Sequence, residues 1–361
     1  MPEPVRRLDA CCAPVVYPGL RRPPPDRPVR PGPQWGLPSG AVEPALAHRN
    51  GTAPWPLTEI AAREIVLSPM LSRLQLPRFL GRRREDEVRN ADRAAAGTSA
   101  ARVVCVASGK GGTGKSITAS NLAVQRAKRG ERVLLVDFDA GLANAHLLLG
   151  VSPEYDLGHV LEGVVGAREA AVDCDFGLKL LSGGVGRQNL INPTRRELDR
   201  LFKALRPLED EFDLIVIDHG AGLGYSTVAH LAATSTLVLV TNPELTALSD
   251  AYALYKRAVT VNPQMRVGVV VNRVGDEGLA LAAWERFRGA AQRFLRQEPD
   301  YVGWVPADPA VSQSVQQRRP ITLSWPEAPA AKALEEVANW APLDHARAAT
   351  AFYERARRAL R

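Results

Sequence analysis

Short apolar runs alternate with longer helical segments from residue 102 onward, and together they predict the secondary structure of the chain. Six nearly continuous aliphatic runs are strand candidates, at residues 103–107, 133–136, 178–181, 214–217, 237–240 and 267–271. Strands that are apolar on both faces are typical of a parallel sheet covered by helices on both sides. The pattern therefore predicts an α/β fold of three layers, with a mostly parallel central sheet flanked by helices.

The first strand candidate is followed by a glycine-rich loop and then by a predicted helix. This helix runs from Ser116 to Gly130 and carries Lys128 and Arg129 in its last turn. Glycine takes the left-handed conformation that ends many helices, and basic side chains complement the negative end of the helix dipole. The sequence thus predicts a strand, loop and helix in direct succession.

Proline marks the main boundary in the chain, since 16 of the 28 prolines fall within the first 80 residues. Proline has no amide donor and fixes φ, so such a segment favours an extended, solvated chain. We predict a disordered segment rich in proline and arginine at 1–57, a linker with short helical stretches at 58–100, an α/β domain at 101–341 and an amphipathic basic helix at 342–361. Two interpretations of residues 1–69 stay open. The segment is an arm that docks a partner, or it is sequence that precedes a translation start at Met70.

Composition is that of an ordinary soluble protein, with 45% apolar and 24% charged residues among 361. No run reaches the roughly 18 apolar residues of a membrane-spanning helix, and the first residues lack the apolar stretch of a signal peptide. We therefore expect a cytoplasmic protein. The four cysteines form no CxxC pair, which argues against a disulfide framework and a cysteine-held metal cluster.

The net charge of +7 is distributed unevenly along the chain. Residues 1–100 contain 15 Arg, no Lys and 10 acidic residues, so the remainder is nearly balanced. Non-specific DNA binding depends on a clustered cationic face. DNA is therefore a less favoured partner.

The loop after the first strand has the sequence GKGGTGKS, which matches the Walker A pattern through Gly109, Gly114, Lys115 and Ser116. Its glycines let backbone amides turn toward phosphate oxygens at the start of a helix. Lys115 is expected to reach the β and γ phosphates of ATP, and the Ser116 hydroxyl to bind Mg²⁺. The loop therefore predicts a Mg·ATP site.

Acidic residues follow two of the predicted strands. Asp137 and Asp139 come after the run at 133–136, and Asp218 comes after the run at 214–217. Acidic residues at such positions are also common as helix caps and turn residues. The carboxyl ends of parallel strands, however, share one edge of the sheet with the glycine-rich loop. We therefore expect these carboxylates beside the nucleotide.

These residues together resemble the MinD and ParA family of deviant Walker A ATPases, and most closely its MinD and FlhG branch. The resemblance covers about residues 102–321 and implies the P-loop NTPase fold. Lys110 is similar to the family's signature lysine, which crosses an ATP-sandwiched dimer to touch the partner's phosphates. The resemblance implies nucleotide contacts along Gly109, Lys110, Gly111, Gly112, Thr113, Gly114, Lys115, Ser116 and Ile117.

Two further motifs resemble the switch segments of that family. The run DFDAGLANAHLLLG is similar to switch I, which implies that Asp137 lies near the metal and that Asp139 orients or deprotonates the attacking water. The run DHGAG is similar to switch II, which implies a water-mediated Mg²⁺ role for Asp218 and a mobile amide at Gly222. The implied catalytic residues are Lys110, Lys115 and Asp139, and the implied metal residues are Ser116, Asp137 and Asp218. Phe138 and His219 depart from the family pattern, which has small residues there.

The adenine side of the site is implied by later motifs. VVVNRV and GWVPADPAV resemble the adenine-side segments of the family, which points to Asn272, Arg273, Pro306 and Asp308. For the last three residues, a strand end and a turn explain the sequence equally well. TNPELTALSDAYALYK resembles the segment that precedes a long surface helix in the MinD and FlhG branch.

The resemblance implies an ATPase that dimerises with ATP and controls the placement or number of a cellular machine, such as the division site, flagella or a polar assembly. It also implies an activating or cargo protein as a partner. Two alternatives stay open. One is a ParA-like partition ATPase that binds DNA without sequence preference, and the other is an adaptor with a proline-rich recruiting arm and a slow ATPase clamp.

The end of the chain has helical periodicity with a small apolar face and many arginines. The face consists of Leu343, Ala346, Ala349, Tyr353, Ala356 and Leu360. A basic amphipathic helix can lie on an anionic bilayer, which would make the protein peripheral at the inner face of the membrane. Alanine buries little area, however, so a helix that packs on the domain or stays solvated is the favoured interpretation.

Overall fold

The computed structural model describes residues 101–139, 143–184, 190, 192–341 and 350–361. The predicted disordered segment at 1–57 and the linker at 58–100 lie outside the described residues. The same holds for residues 342–349, at the start of the predicted C-terminal helix.

A central sheet of eight strands organises the described residues. The strands are β1 Arg102–Ala107, β2 Val133–Phe138, β3 Val172–Asp173, β4 Lys179–Leu181, β5 Leu214–His219, β6 Thr236–Thr241, β7 Arg266–Val274 and β8 Asp300–Pro306. Their order in the sheet is β3-β4-β2-β5-β1-β6-β7-β8. All neighbours are parallel except β3 and β4, which are antiparallel. The predicted mostly parallel α/β sheet is confirmed.

Helices cover both faces of this sheet. They are α1 Lys115–Lys128, α2 Ala145–Leu148, α3 Leu157–Glu162, α4 Ala167–Ala170, α5 Arg195–Leu205, α6 Tyr225–Ala233, α7 Leu245–Val261, α8 Glu277–Leu295, α9 Pro309–Gln316, α10 Ile321–Ser324, α11 Pro329–Trp340 and α12 Phe352–Ala359. The 3₁₀ helices Asp175–Gly177 and Arg206–Asp210 complete the set within the described ranges.

The core has two layers, one on each face of the sheet. Val133 and Leu135 of β2 pack with α1 and α11, whereas Leu134 and Val136 of the same strand pack with α5 to α8 and α12. Successive strand residues point to opposite faces, so a strand covered on both sides must be apolar throughout. This explains the continuous apolar runs from which the strands were predicted.

Helix α1 begins directly after the glycine-rich loop, one residue before the predicted start, and ends at Lys128, two residues before the predicted end. Its N-cap Gly114 is in the left-handed region, and Gly130 with φ of 88° follows its last turn. A residue without Cβ takes this conformation at no steric cost. The geometry at both ends therefore follows from the two glycines.

The C-terminal helix α12 is part of the domain core. Its residues Phe352, Tyr353 and Ala356 are fully or almost fully buried, and Leu360 just beyond it is also buried. The described members of the predicted apolar face, Tyr353, Ala356 and Leu360, are thus covered by protein, as the favoured interpretation of a helix packed on the domain expects, and peripheral membrane contact stays a prediction. The members of the face before residue 350 lie outside the described residues. None of the helices in the described ranges is both long and apolar enough to span a bilayer.

Candidate active site

The glycine-rich loop lies between β1 and α1, at the carboxyl edge of the sheet. Gly112 and Gly114 have φ of 78° and 91°, in the left-handed region where a side chain is strained. A Cβ on Gly114 would also lie 2.0 Å from Nδ2 of Asn272, and one on Gly109 would lie 2.1 Å from the carbonyl carbon of Asp250. Glycine fits where other residues would clash, and such loops present backbone amides to an anion.

Two asparagines, Asn272 in β7 and Asn242 directly after β6, form a chain of hydrogen bonds that ends on this loop. Nδ2 of Asn272 donates to the Thr113 carbonyl at 2.7 Å, and Nδ2 of Asn242 donates to the Asn272 carbonyl at 2.9 Å. Asn272 therefore lies against the loop, next to where a nucleotide would bind, and its predicted adenine contact stays a prediction. Sequence reasoning missed Asn242, although a polar residue directly after the apolar strand β6 was the available signal.

Lys115 is the first residue of α1 and is almost completely buried among acidic groups. Its Nζ lies 2.7 Å from Oδ1 of Asp218, 3.6 Å from Oδ2 of Asp139 and 3.1 Å from Oγ of Ser116. Burial acts to lower the pKa of Lys115, but the attraction of Asp218 and Asp139 outweighs it and raises the pKa above its usual value. The ammonium group is therefore charged and held at the strand ends.

Asp137 and Asp218 stand opposite each other in the register of β2 and β5, and both are fully buried. Oδ1 of Asp137 accepts a hydrogen bond from the Asp139 amide at 2.9 Å, and Oδ2 accepts one from the Ala145 amide at 3.1 Å. Burial, together with the negative charge of Asp218, raises the pKa of Asp137 to about 7. Burial also raises the pKa of Asp218, against the lowering effect of Lys115.

The arrangement fits a magnesium ion that takes most of its ligands from phosphate and water. Oδ2 of Asp218 is buried without a hydrogen-bond partner among the described residues, beside the Ser116 hydroxyl. In the described part of the chain, no three His, Cys, Asp or Glu residues are grouped to hold a metal by themselves. Mg²⁺ binds in this way in phosphate sites, through one or two protein oxygens. The metal roles predicted for Ser116, Asp137 and Asp218 stay predictions that this geometry supports.

Lys110 occupies a different position from Lys115. It is exposed, and its Nζ lies 3.4 Å from Oγ1 of Thr246, at the start of α7. The Ser108 hydroxyl donates to the Lys110 carbonyl at 2.8 Å and fixes the backbone of the loop there. The two lysines of the loop therefore point to different environments, one buried at the strand ends and one at the surface.

The segment after β5 contacts both the loop and Asp139. The Gly222 amide, in a residue with φ of 95°, donates to the Ser108 carbonyl at 3.3 Å. A Cβ on Gly220 would lie 3.5 Å from Oδ1 of Asp139, so the backbone passes close to that carboxylate. The structure thus brings together the two predicted switch segments and the phosphate loop.

The residues predicted on the adenine side have different surroundings. Arg273 has φ of 59°, and its guanidinium lies 3.5 Å from the Gly112 carbonyl. Pro306 ends β8, next to the end of β7. Asp308 caps α9, where its two carboxylate oxygens accept from the amides of Ala310 at 2.9 Å and Ala330 at 3.2 Å. Asp308 therefore has a structural role, and its nucleotide contact stays a prediction.

Comparison with known proteins gives the same family as these residues. Residues 101–269 match a family model described as an AAA domain. The chain is 32% identical over 237 residues to the antiactivator FleN of Pseudomonas aeruginosa. The aligned region covers 66% of this chain and 85% of FleN. It is 31% identical to the flagellum site-determining protein YlxH of Helicobacter pylori, over 60% of this chain and 73% of YlxH.

A solved structure is similar as well. The septum site-determining protein MinD of Pyrococcus horikoshii, complexed with Mg-ADP, is 28% identical and superposes with a TM-score of 0.56. The match covers 66% of this chain and 94% of that protein. With the glycine-rich loop, the second loop lysine and the two acidic strand ends in place, the chain belongs to the MinD and ParA family of P-loop ATPases, in the branch of FleN and YlxH.

Proposed function

We propose that this chain is a Mg²⁺-dependent ATPase that dimerises in its ATP state and sets the placement or number of a cellular machine. The names of its relatives support this: an antiactivator, a flagellum site-determining protein and a septum site-determining protein. A flagellar apparatus or a division site is therefore the proposed target. An activating or cargo protein is the proposed partner.

Nucleotide binding is assigned to the loop and to the buried lysine. ATP supplies the transferable phosphoryl group, and Mg²⁺ neutralises its developing charge. The loop from Gly109 to Ser116 would hold the phosphates through backbone amides. The Lys115 ammonium group would leave its ion pair with Asp218 and bind phosphate oxygens instead. Because the ammonium is already desolvated and charged, this exchange needs little reorganisation.

Proton transfer is assigned to Asp139. Its carboxylate is one-quarter exposed and lies 3.6 Å from Nζ of Lys115, at the mouth of the site. A carboxylate in such a position can orient a water molecule and accept its proton. Asp137 is less suited to that task, because it is fully buried and both of its oxygens already accept amide hydrogen bonds.

The observation that carries the dimer proposal is the position of Lys110. Its ammonium group lies at the surface beside Thr246, away from the carboxylates that surround Lys115. A loop lysine in this position is accessible to the phosphates of a second chain. In that arrangement hydrolysis requires the dimer.

The test is the dependence of ATPase activity per chain on protein concentration. We expect the activity of the wild type to rise with concentration. Lys110→Ala should lower it about 100-fold and remove the concentration dependence, since one charged donor to the transition state is lost. The Kd for Mg·ATP should stay within about threefold, because Lys110 does not serve its own loop.

Lys332→Ala is the matched control, since this exposed lysine lies on α11. It should leave both quantities unchanged. Full activity of dilute monomers, undiminished by Lys110→Ala, would contradict the dimer mechanism.

A further inference from the structure

A cluster of rings lies directly beneath the strand ends that carry the acidic residues. This ring cluster consists of Phe138, Phe202, His219, His230, Phe352 and Tyr353. Phe138 follows Asp137 in β2, His219 follows Asp218 in β5, and the two are paired in the sheet. Since successive strand residues point to opposite faces, the buried carboxylates face α1 and the two rings face α5, α6 and α12.

His230 of α6 lies at the centre of the ring cluster. Its ring centroid is 4.6 Å from that of Phe138, 5.0 Å from that of His219 and 5.4 Å from that of Phe352 in α12. It therefore contacts both strand ends on one side and the C-terminal helix on the other. The His230 ring thus lies between Phe352 of α12 and the two residues, Phe138 and His219, that follow the buried carboxylates.

Packing alone holds the two histidines. His219 and His230 are fully buried, and none of their ring nitrogens has a hydrogen-bond partner in the part of the chain that the structure describes. Burial lowers the pKa of His219 to about 3, so its ring is neutral. A buried nitrogen without a partner carries a cost that an apolar side chain would avoid. The position of each ring is consequently set by its neighbours.

Helix α12 is fixed to the elements around it. The two carboxylate oxygens of the buried Glu209 accept from the amides of Phe352 at 2.7 Å and Tyr353 at 2.8 Å. The Arg355 guanidinium donates to the carbonyl of Ala233, the last residue of α6, at 2.8 and 3.0 Å. The helix therefore cannot shift independently of α6 and the 3₁₀ helix before β5.

We propose that His230 and Phe352 are positioning residues for the reaction, and that they couple the C-terminal helix to the nucleotide site. They act through the rings at the ends of β2 and β5, which hold the neighbouring carboxylates in place. Because these rings contact one another from the strand ends to α12, a displacement at Asp139 or Asp218 on nucleotide binding is transmitted along them. This coupling is reciprocal by thermodynamic linkage. The inference rests on the proposed ATPase function.

The first test removes one ring from the cluster. Phe352→Leu keeps an apolar side chain but loses the contact with His230. We expect kcat for ATP to fall about tenfold while the Kd for Mg·ATP changes by less than about threefold, because misplaced reacting groups cost rate more than affinity.

Phe287→Leu is the matched control for a lost core ring. Phe287 is as deeply buried as Phe352, but it lies on α8 against Tyr255 and outside the ring cluster. It should leave kcat within about twofold, since α8 packs mainly against α7 and β7 and not against the rings of the cluster. Equal effects of the two substitutions on kcat would overturn the proposal.

The second test is made first on the wild-type chain and then on one variant. Saturating Mg·ATP should slow hydrogen exchange of the backbone amides in α12 of the wild-type chain by at least about threefold. His230→Leu should bind Mg·ATP and lose this protection. If the wild-type chain binds Mg·ATP but hydrogen exchange in α12 is unchanged, the coupling proposal is overturned while the proposed function stands. Absence of Mg·ATP binding would overturn the proposed function, and the inference with it.

Discussion

Lys115→Ala is expected to weaken Mg·ATP binding at least about 100-fold, measured as a Kd by calorimetry on the whole chain. The substitution removes the one buried cation that lies among Asp137, Asp139 and Asp218 in the described residues. The phosphates would then meet carboxylates with no positive side chain between them. Coulomb repulsion is strong where water is excluded, so the loss exceeds that of an ordinary hydrogen bond.

Lys128→Ala is the control for this experiment, because Lys128 lies on the same helix but is exposed in its last turn. It should leave the Kd within about twofold of the wild type, since exposed charges interact weakly. Circular dichroism should show that both variants keep their helices. An undiminished affinity in the Lys115 variant would refute the assignment of the phosphate site.

Asp139→Asn is expected to lower the single-turnover rate of ATP hydrolysis about 100-fold, because an amide cannot accept a proton from water. Mg·ATP affinity should change by less than about threefold, since the side chain keeps its size and Lys115 keeps Asp218 as its main partner. Release of inorganic phosphate after mixing with limiting ATP measures the rate. The ATP-bound dimer should accumulate as a consequence.

Asp173→Asn provides the comparison for that experiment. Asp173 is 80% exposed in β3, at the far edge of the sheet, and pairs with Lys179. Its replacement should leave the rate unchanged. If the Asp139 variant released phosphate as fast as this control, another group would have to serve as the base.

The strands at the centre of the sheet were predictable, and those at its edges were not. All six predicted strands are present, because they are covered by helices and are apolar for most of their length, with Lys179 of β4 as an exception. The two missed strands are β3, with two residues, and the edge strand β8. β8 is mostly half-buried and reads DYVGWVP, in which polar residues, glycine and a final proline interrupt the apolar run. An edge strand needs no continuous apolar pattern.

The phosphate loop and the acidic strand ends were also predictable in position, since the topology of a parallel sheet brings them to one edge. The pairing of Lys115 with Asp218 was not predicted. It depends on the register that places Asp137 opposite Asp218, which excludes both carboxylates from water and leaves the lysine as their nearest cation. Sequence spacing along one strand does not encode the register with another strand.

The C-terminal helix shows a different limit of sequence analysis. The apolar periodicity of Tyr353, Ala356 and Leu360 was recognised, and these side chains do share a buried face. The same periodicity, however, serves a helix on a membrane and a helix on a domain core. In the structure the amides of Phe352 and Tyr353 donate to Glu209, which is remote in sequence, so periodicity alone could not predict this contact.

The most direct test of the account is a calorimetric titration of the wild-type chain with ATP, with and without Mg²⁺. Three carboxylates surround one buried lysine at the strand ends, so free ATP should be repelled and the magnesium complex accepted. We predict micromolar binding with Mg²⁺, at a Kd on the order of 1–100 μM, and at least about 100-fold weaker binding with excess chelator. Equal affinity in the two titrations, or no heat of binding with Mg²⁺ present, would contradict it.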